Sequence, residues 1–598
     1  MTQQATIRQR SIHMDESSIA INAINQSPGN EIPIDENRLG DEIHPVLRRI
    51  LLARGITRPE ELALDLHTLL PPGGLSGIDK AARLVAIAVM RGKRILIVGD
   101  FDADGATGTA VAILALQAMA CEQLDFRVPN RFEFGYGLSV PLVNTLCDDP
   151  PDLLITVDSG ISCNDGVARA RELGCQVIVT DHHLPGERIP DADAIVNPNC
   201  EGDVFPSKAM AGVGVIFYLM TVVRSVLRDE GWFSGRRKEP NLAQFLDLVA
   251  LGTVADLVPL DHNNRVLVRQ GLERIRRGLA RPGLMALLRL GKRDYRYAKA
   301  SDLGFAVGPR LNAAGRLEDM ATGIRCLLSS DSNDAMQMAS QLDELNRQRK
   351  GMQEKMQAEA MQQIDSLLAS LREQELPRAL CLFDKSWHQG IVGLVASRVK
   401  DAVHRPVIAF APEAEGASLL KGSARSVRGL HIRDVLAYVD SHTPGMIKAF
   451  GGHAMAAGLT LEAEHLTEFE ESLGYAVDAV LGGVELTFEI LTDGELAATD
   501  ISLDLAVKIE NLGPWGQRFA EPVFDGRFEV LDYRVVGGSH LKMIVRPQDG
   551  SEPVDAIAFN RMPQDLPQSG PVRLLYRLDI NRWRGREACQ LMVEHIVL

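Results

Sequence analysis

Three short apolar runs, RILIVG (94–99), DLLITV (152–157) and QVIVT (176–180), constrain this chain more than any other feature. Each is rich in isoleucine or valine and lacks polar/apolar alternation, as a parallel strand buried on both faces requires. Helical spacings lie between them, in ATGTAVAILALQAMA (106–120) and NDGVARARELG (164–174). This order predicts an α/β domain with a parallel sheet flanked by helices. Each run also stops at acids. The first meets Asp100, Asp102 and Asp104 in GDFDADGATGT, the second Asp158 in VDSG, and the third Asp181, His182 and His183 in DHHLPG. Neighbouring side chains on a continuing strand point to opposite faces. The two histidines can serve one site only if the third strand stops after Thr180.

Ligands of open α/β sheets bind beyond the carboxyl ends of the strands. Three such ends bring five carboxylates and two imidazoles into one crevice, where the acids repel one another unless divalent cations intervene. Asp and His donors without thiolates suit Mn²⁺ or Mg²⁺. A pair of such ions polarises a phosphoryl group and activates water, so hydrolysis of a phosphodiester or phosphoanhydride is the expected reaction. Asp-x-Asp alone is as readily a helix cap, and DHH alone a capping acid with two surface histidines. Three acidic strand ends in sequence outweigh both.

At 598 residues the chain exceeds what one hydrophobic core supports, so several domains are expected. The eight cysteines occur singly, which fits reduced thiols in a cytoplasm and excludes a thiolate zinc site. No apolar stretch approaches the roughly 20 residues of a membrane helix, and the polar start MTQQATIRQRS is unlike a signal peptide. A net charge of −15 argues at first against a nucleic-acid partner. Between Arg265 and Lys299, however, eleven Lys/Arg face two acids. That run reads equally as a solvated helix face or as part of a basic groove.

Residues 1–40 are polar and aperiodic and predict a poorly ordered tail. A first domain spans 41–330, and 331–375 forms one long connecting helix with Met338, Leu342, Leu345, Met352 and Met356 near helical period. Residues 376–480 return to α/β character. The segment 481–598 alternates like a small antiparallel barrel of the OB type. Of its aromatics, Phe528, Tyr533, Phe559 and Tyr576 are expected in the barrel core, and Trp583, within NRWRGR, as a surface platform for bases.

These motifs resemble the DHH phosphoesterase superfamily: GDFDADG its first motif, VDSGIS its second, DHH its third and ALGTVADLVPL (250–260) its fourth. GGHAMAAG (451–458) resembles the signature of the associated DHHA1 domain. VPNRFEFGYGLS, GPRLNAAGRLEDM, WHQGIVGLVASR and GSARS together resemble the superfamily's branch of single-stranded-DNA-specific exonucleases. The resemblance implies a DHH parallel-sheet domain, a long helix, a DHHA1 domain and an OB-type barrel. It implies hydrolysis of single-stranded DNA from the 5′ end with two Mn²⁺ or Mg²⁺ ions, the domains clamping the strand. Asp102 and Asp104 would each hold one cation, Asp158 would bridge, and His182 and Asp256 would complete the second. Many members carry a histidine where this chain has Val98; Asp100 would stand in for that ligand. His183 would face the scissile phosphate, and Asp181 would orient a histidine.

The resemblance also assigns Arg131, Ser423 and Arg425 to a terminal 5′-phosphate, Arg310, Asn312 and Arg316 to the DNA backbone, and Gly451, Gly452 and His453 to a further phosphate. It implies a cytoplasmic monomer with no membrane contact, working in repair and recombination beside a single-stranded-DNA-binding protein and a RecQ-type helicase. The competing readings are a phosphodiesterase for short oligonucleotides or cyclic dinucleotides, a manganese pyrophosphatase, a haloacid-dehalogenase-type phosphatase suggested by D-A-D-G, and a non-catalytic DNA-binding scaffold.

Overall fold

The computed structural model describes residues 6–10, 39–40, 42–130, 133–371, 376–414, 416–427, 429–452, 454–482, 489–548, 550, 552–567 and 569–597. The chain divides into two compact units. One comprises Ile56–Arg349 with Asp504–Glu521, and the other the remainder.

The first unit is built on five parallel strands: β1 (Ile95–Gly99), β2 (Leu124–Arg127), β3 (Leu153–Val157), β4 (Gln176–Thr180) and β5 (Ala194–Val196). They lie in the order β2-β1-β3-β4-β5. β1 and β3 are buried along their whole length, as unbroken apolar runs demand. The register pairs Gly99 with Val157 and Val157 with Thr180, so the three central strands end in one row. Helices α1 (Ala103–Ala118), α2 (Asn164–Glu172), α3 (Gly212–Asp229), α4 (Leu246–Ala255), α5 (Pro282–Leu290) and α6 (Gly308–Leu317) complete what the site requires. α1 is buried almost all round because α3 and α4 also pack against it.

α7 (Ser332–Leu371) is one uninterrupted helix, and the boundary between the units falls within it. In the second unit, β6 (Leu380–Phe383), β7 (Val407–Pro412), β8 (Leu419–Arg425), β9 (Ile447–Gly452) and β10 (Ala456–Glu462) form a mixed sheet ordered β9-β10-β8-β7-β6. Only β6 and β7 run parallel; the other neighbours are antiparallel. Helix α8 (Gln389–Val403) packs on β7 and β8, while α9 (Ile432–His442) and α10 (Leu466–Leu481) pack against each other. The C-terminal strands β11 (Phe524–Val536), β12 (His540–Pro547), β13 (Val554–Ala558), β14 (Val572–Trp583) and β15 (Arg586–Val597) close a barrel ordered β11-β12-β13-β15-β14.

Three features depart from the sequence reading. Thr6–Gln9, inside the expected tail, pairs in parallel with Glu489–Thr492. Four mixed residues carry no strand signal of their own, and the pairing comes from a backbone edge elsewhere in the unit. Residues up to Gly55 join the second unit rather than the first domain. The bidentate pair of Arg54 with the buried Asp493, at 2.6 and 3.1 Å, ties them there. Conversely, 504–521 leave the barrel region for the first unit, where the Leu260 N–H donates to the Gln517 carbonyl (2.8 Å) and Arg265 lies over the Phe519 ring (4.3 Å). Within the barrel, Phe528 and Tyr576 are core residues as expected, and Trp583 is exposed. Tyr533 and Phe559 are exposed as well. Beyond Phe528, β11 pairs with β12 alone and a register shift interrupts the ladder at Val530/Asp532, which turns Tyr533 outward.

Candidate metal centre and DNA-contacting residues

The common row of strand ends places the next residues together. Asp102 caps α1, its Oδ1 accepting from the N–H groups of Asp104 (2.9 Å) and Gly105 (3.0 Å). The cap reading of Asp-x-Asp is thus correct and compatible with ligation, because the second carboxylate oxygen remains. Asp104 lies on the first turn of α1 and accepts from Gly212 N–H (2.6 Å) and Val213 N–H (2.9 Å) at the start of α3, where the helix dipole favours negative charge. Asp158 follows β3 with φ of 61°, a strained backbone for a non-glycine residue. Asp256 caps the C-terminus of α4, where the dipole offers a carboxylate no help.

Three sets of donor atoms lie within 4.8 Å of one another: Asp100–Asp102–Asp158, Asp104–His182–Asp256 and Asp158–His182–His183. Asp158 belongs to two of them. Space is tight. A Cβ on Gly212 would stand 2.5 Å from Asp158 Cβ, and one on Gly252 2.8 Å from Asp104 Oδ1. Both positions therefore need glycine.

The cluster is poorly satisfied as it stands. Asp100 Oδ1, Asp158 Oδ1 and His182 Nε2 are buried without a hydrogen bond. His182 Nε2 lies 3.1 Å from Asp158 and 3.4 Å from Asp256, close approaches that lack hydrogen-bond geometry. Burial, and then the charge of Asp102, pushes Asp100 and Asp104 up to about 7. Burial and the charge of Asp104 push Asp256 up to about 8 and raise Asp158 well above the carboxylate range. Burial and the neighbouring His183 charge push His182 down to about 4, so its ring is neutral. Neutral imidazole beside orphaned carboxylates is a donor set for hard divalent cations.

His183 differs from its neighbour. Its Nδ1 lies 2.8 Å from Asp181 Oδ1, a bond that raises it to about 9 and keeps the ring charged at neutral pH. Asp181 also accepts from the N–H groups of Ile161 (2.9 Å), His182 (2.7 Å) and His183 (3.0 Å). Although burial opposes it, these bonds hold the Asp181 carboxyl below its ordinary range.

Several supporting residues escape the sequence reading. Asn197 donates to the His183 carbonyl (2.9 Å) and Asn199 to the His182 carbonyl (2.5 Å), fixing the tripeptide from behind. Their signal was the polar stop VNPN after β5. Tyr136 donates to the Asp158 carbonyl (3.3 Å), its ring edge-on to Phe101 and to His183.

The remaining assigned residues divide. Asn312 accepts from the Ala103 N–H (2.7 Å), and Arg310 donates to Asp343 (2.8 Å) and to the Ala306 carbonyl (2.5 Å). Both are used within the fold and brace α6 against its neighbours, a use that the motif alone does not reveal. Arg316 is exposed at the end of α6. In the second unit Ser423 and Arg425 share a face of β8, with Arg425 donating to Ser423 Oγ (2.9 Å). Register aligns Ser423 with Gly458 and Gly458 with Gly451 across three strands. A Cβ on Gly451 would meet nothing within 4 Å, whereas Gly452, at φ of 147°, would strike Ala457. Arg131 and His453 lie outside the described residues.

A parallel sheet that gathers acids and histidines at its carboxyl edge defines a DHH-type phosphoesterase. Family models agree: the DHH family N-terminal domain matches residues 94–253, the DHHA1 domain 376–478, and the RecJ OB domain 492–595. The chain is 50% identical over 558 residues to the single-stranded-DNA-specific exonuclease RecJ of Salmonella typhimurium, covering 93% of this chain and 96% of that one. It resembles the crystal structure of Thermus thermophilus RecJ with Mn²⁺ (TM-score 0.71, 28% identity, 94% of this chain and 77% of that one). The Mg²⁺ complex of the same protein gives a TM-score of 0.66 at 27% identity, over 94% and 76% of the two chains. The chain belongs to the RecJ family. Among the described residues no helix is long and apolar enough to cross a membrane.

Proposed function

We propose that this chain is a two-cation exonuclease that hydrolyses single-stranded DNA from its 5′ end, in DNA repair and recombination. The observation that carries the reading is the buried, unsatisfied donor set at the sheet's carboxyl edge, in a chain about half identical to a single-stranded-DNA-specific exonuclease. Mn²⁺ or Mg²⁺ fits that set, and the cations supply Lewis-acid polarisation of the phosphoryl group and a lowered pKa of bound water.

Asp100, Asp102 and Asp158 would hold one ion, and Asp104, His182 and Asp256, together with Asp158, would hold the other. Asp181 keeps one His183 nitrogen occupied and the ring charged, so the other nitrogen offers an N–H to the scissile phosphate or the departing 3′ oxygen. Ser423 and Arg425 grip the 5′-phosphate. The side-chain-free row at Gly451 and Gly458 permits close approach of backbone N–H groups, with Gly452 beside it. Arg316 contacts the DNA backbone. The finer assignment is a cytoplasmic monomer acting beside a single-stranded-DNA-binding protein and a RecQ-type helicase.

The deciding experiment incubates the protein and Mn²⁺ with end-labelled single-stranded and duplex oligonucleotides, with and without a 5′-phosphate. Loss of label from the 5′ end of single strands alone is the expected result. Hydrolysis restricted to dinucleotides or pyrophosphate would overturn the reading.

A further inference from the structure

The basic run Arg265–Lys299 resolves into two classes. Arg265, Arg274, Arg276 and Arg281 donate to backbone carbonyls. Arg269, Arg277, Arg293, Arg296 and Lys299 pair with acids. Of the eleven, that leaves Arg289 and Lys292, both exposed, whose side chains make no ion pair or hydrogen bond among the described residues. They flank Gly291, where a Cβ would stand 3.1 Å from Ala306 Cβ.

Ala306 lies in a π-helical turn, Leu303–Val307, closed by the Gly308 N–H donating to the Leu303 carbonyl. Such turns cost regular hydrogen bonding and concentrate at functional sites. Leu303, Ala306 and Val307 are buried and anchor it, while Phe305 is 77% exposed. The glycines beside the phenylalanine close on α4: a Cβ on Gly304 would lie 3.3 Å from Val254 Cγ1, and one on Gly308 3.3 Å from Ala255 Cβ. Asp256 is the next residue, and Leu257 after it is 68% exposed with φ of 59°. An exposed aromatic therefore stands between glycines that close on the last turn of α4, the helix capped by the candidate metal ligand Asp256, with two cations free of side-chain partners on the neighbouring α5 side.

We infer that Phe305 is a stacking platform for a base of the single strand near the scissile phosphate, and that Arg289 and Lys292 hold adjoining phosphates. This rests on the single-stranded-DNA reading above. Every base has a π-face, so such a platform favours unpaired strands without reading sequence.

The test moves one abasic nucleotide stepwise from the 5′ end of an oligonucleotide and measures kcat and KM for wild type, Phe305→Ala and Phe305→Trp. Wild type should lose about ten-fold in KM at one abasic position, the scale of one stacked base. F305A should raise KM on the intact strand by a similar factor and show no further loss at that position, with F305W restoring both. Changing Arg289 and Lys292 together to alanine should lower the salt dependence of KM. An F305A enzyme that keeps the wild-type KM, or keeps the abasic dependence, overturns the platform. Failure of wild type to degrade intact single strands would instead overturn the functional reading itself.

Discussion

The two sheets of this molecule build sites by opposite routes. In the first unit all five strands run parallel, so their carboxyl ends share one edge and each following loop delivers its side chains there. The site is a crevice of buried acids, unsatisfied until a counter-charge arrives. In the second unit most neighbours run antiparallel, and successive strand ends point in opposite directions. Convergence at an edge is unavailable, so the candidate phosphate residues form a row across the sheet face, through Ser423, Gly458 and Gly451. There Arg425 already has a partner in Ser423. The lesson is that strand polarity decides whether chemistry collects at an edge or on a face, and how much electrostatic cost the site carries.

That contrast can be broken by mutation. Asp158→Ala removes a donor common to both metal sets, and strand cleavage should fall by at least about three orders of magnitude. Metal content measured alongside should drop; unchanged cleavage would sink the crevice assignment. His183→Asn should cost roughly 10²–10⁴ in kcat while metal content holds, since it removes a proton donor and not a ligand. A loss of metal in His183→Asn as large as in Asp158→Ala would contradict its role as a proton donor that is not a ligand.

Metal removal should separate the two sites by pH. Asp100, Asp104 and Asp256 have folded pKa values raised to about 7 or 8. Raised carboxylates stabilise the metal-free fold below their unfolded pKa near 4, and that contribution is lost as pH rises through 7–8. Cations replace the lost protons. The thermal shift on adding Mn²⁺ should therefore grow from pH 5.5 to pH 8.5, by an amount worth a few kcal/mol. Calorimetry at pH 7 should show proton release on metal binding; a pH-independent shift would argue that the acids are not ligands.

Arg425→Ala should give the smallest effect. KM for 5′-phosphorylated strands should rise about ten-fold with kcat little changed, and less for strands lacking that phosphate. An equal penalty on both substrates would remove the 5′-phosphate from this face.

The catalytic half was legible because its signals are local. Unbroken Ile/Val runs specify doubly buried parallel strands, and β-α-β order with right-handed crossovers places their ends side by side. Asp100, Asp158 and Asp181 could therefore be grouped from the text alone. Asp256, at the C-terminus of α4, was harder; motif likeness, not periodicity, pointed to it. Arg310 and Asn312 carry hydrogen bonds within the fold that their motif does not announce.

The sequence by itself determined the strand ends, the metal-type donor set and the order of domains, because periodicity and residue chemistry act over a few neighbours. Only the tertiary structure decided how those groups are used. It separated a neutral His182 from a charged His183, since burial and the Asp181 bond are three-dimensional facts about adjacent residues. It moved 504–521 to the first unit and gave Thr6–Gln9 a partner nearly five hundred residues away. It also showed that nine of the eleven bases in one run are already spoken for. Charge can be counted in a sequence, but whether it is free depends on which carbonyls and carboxylates the fold brings within reach.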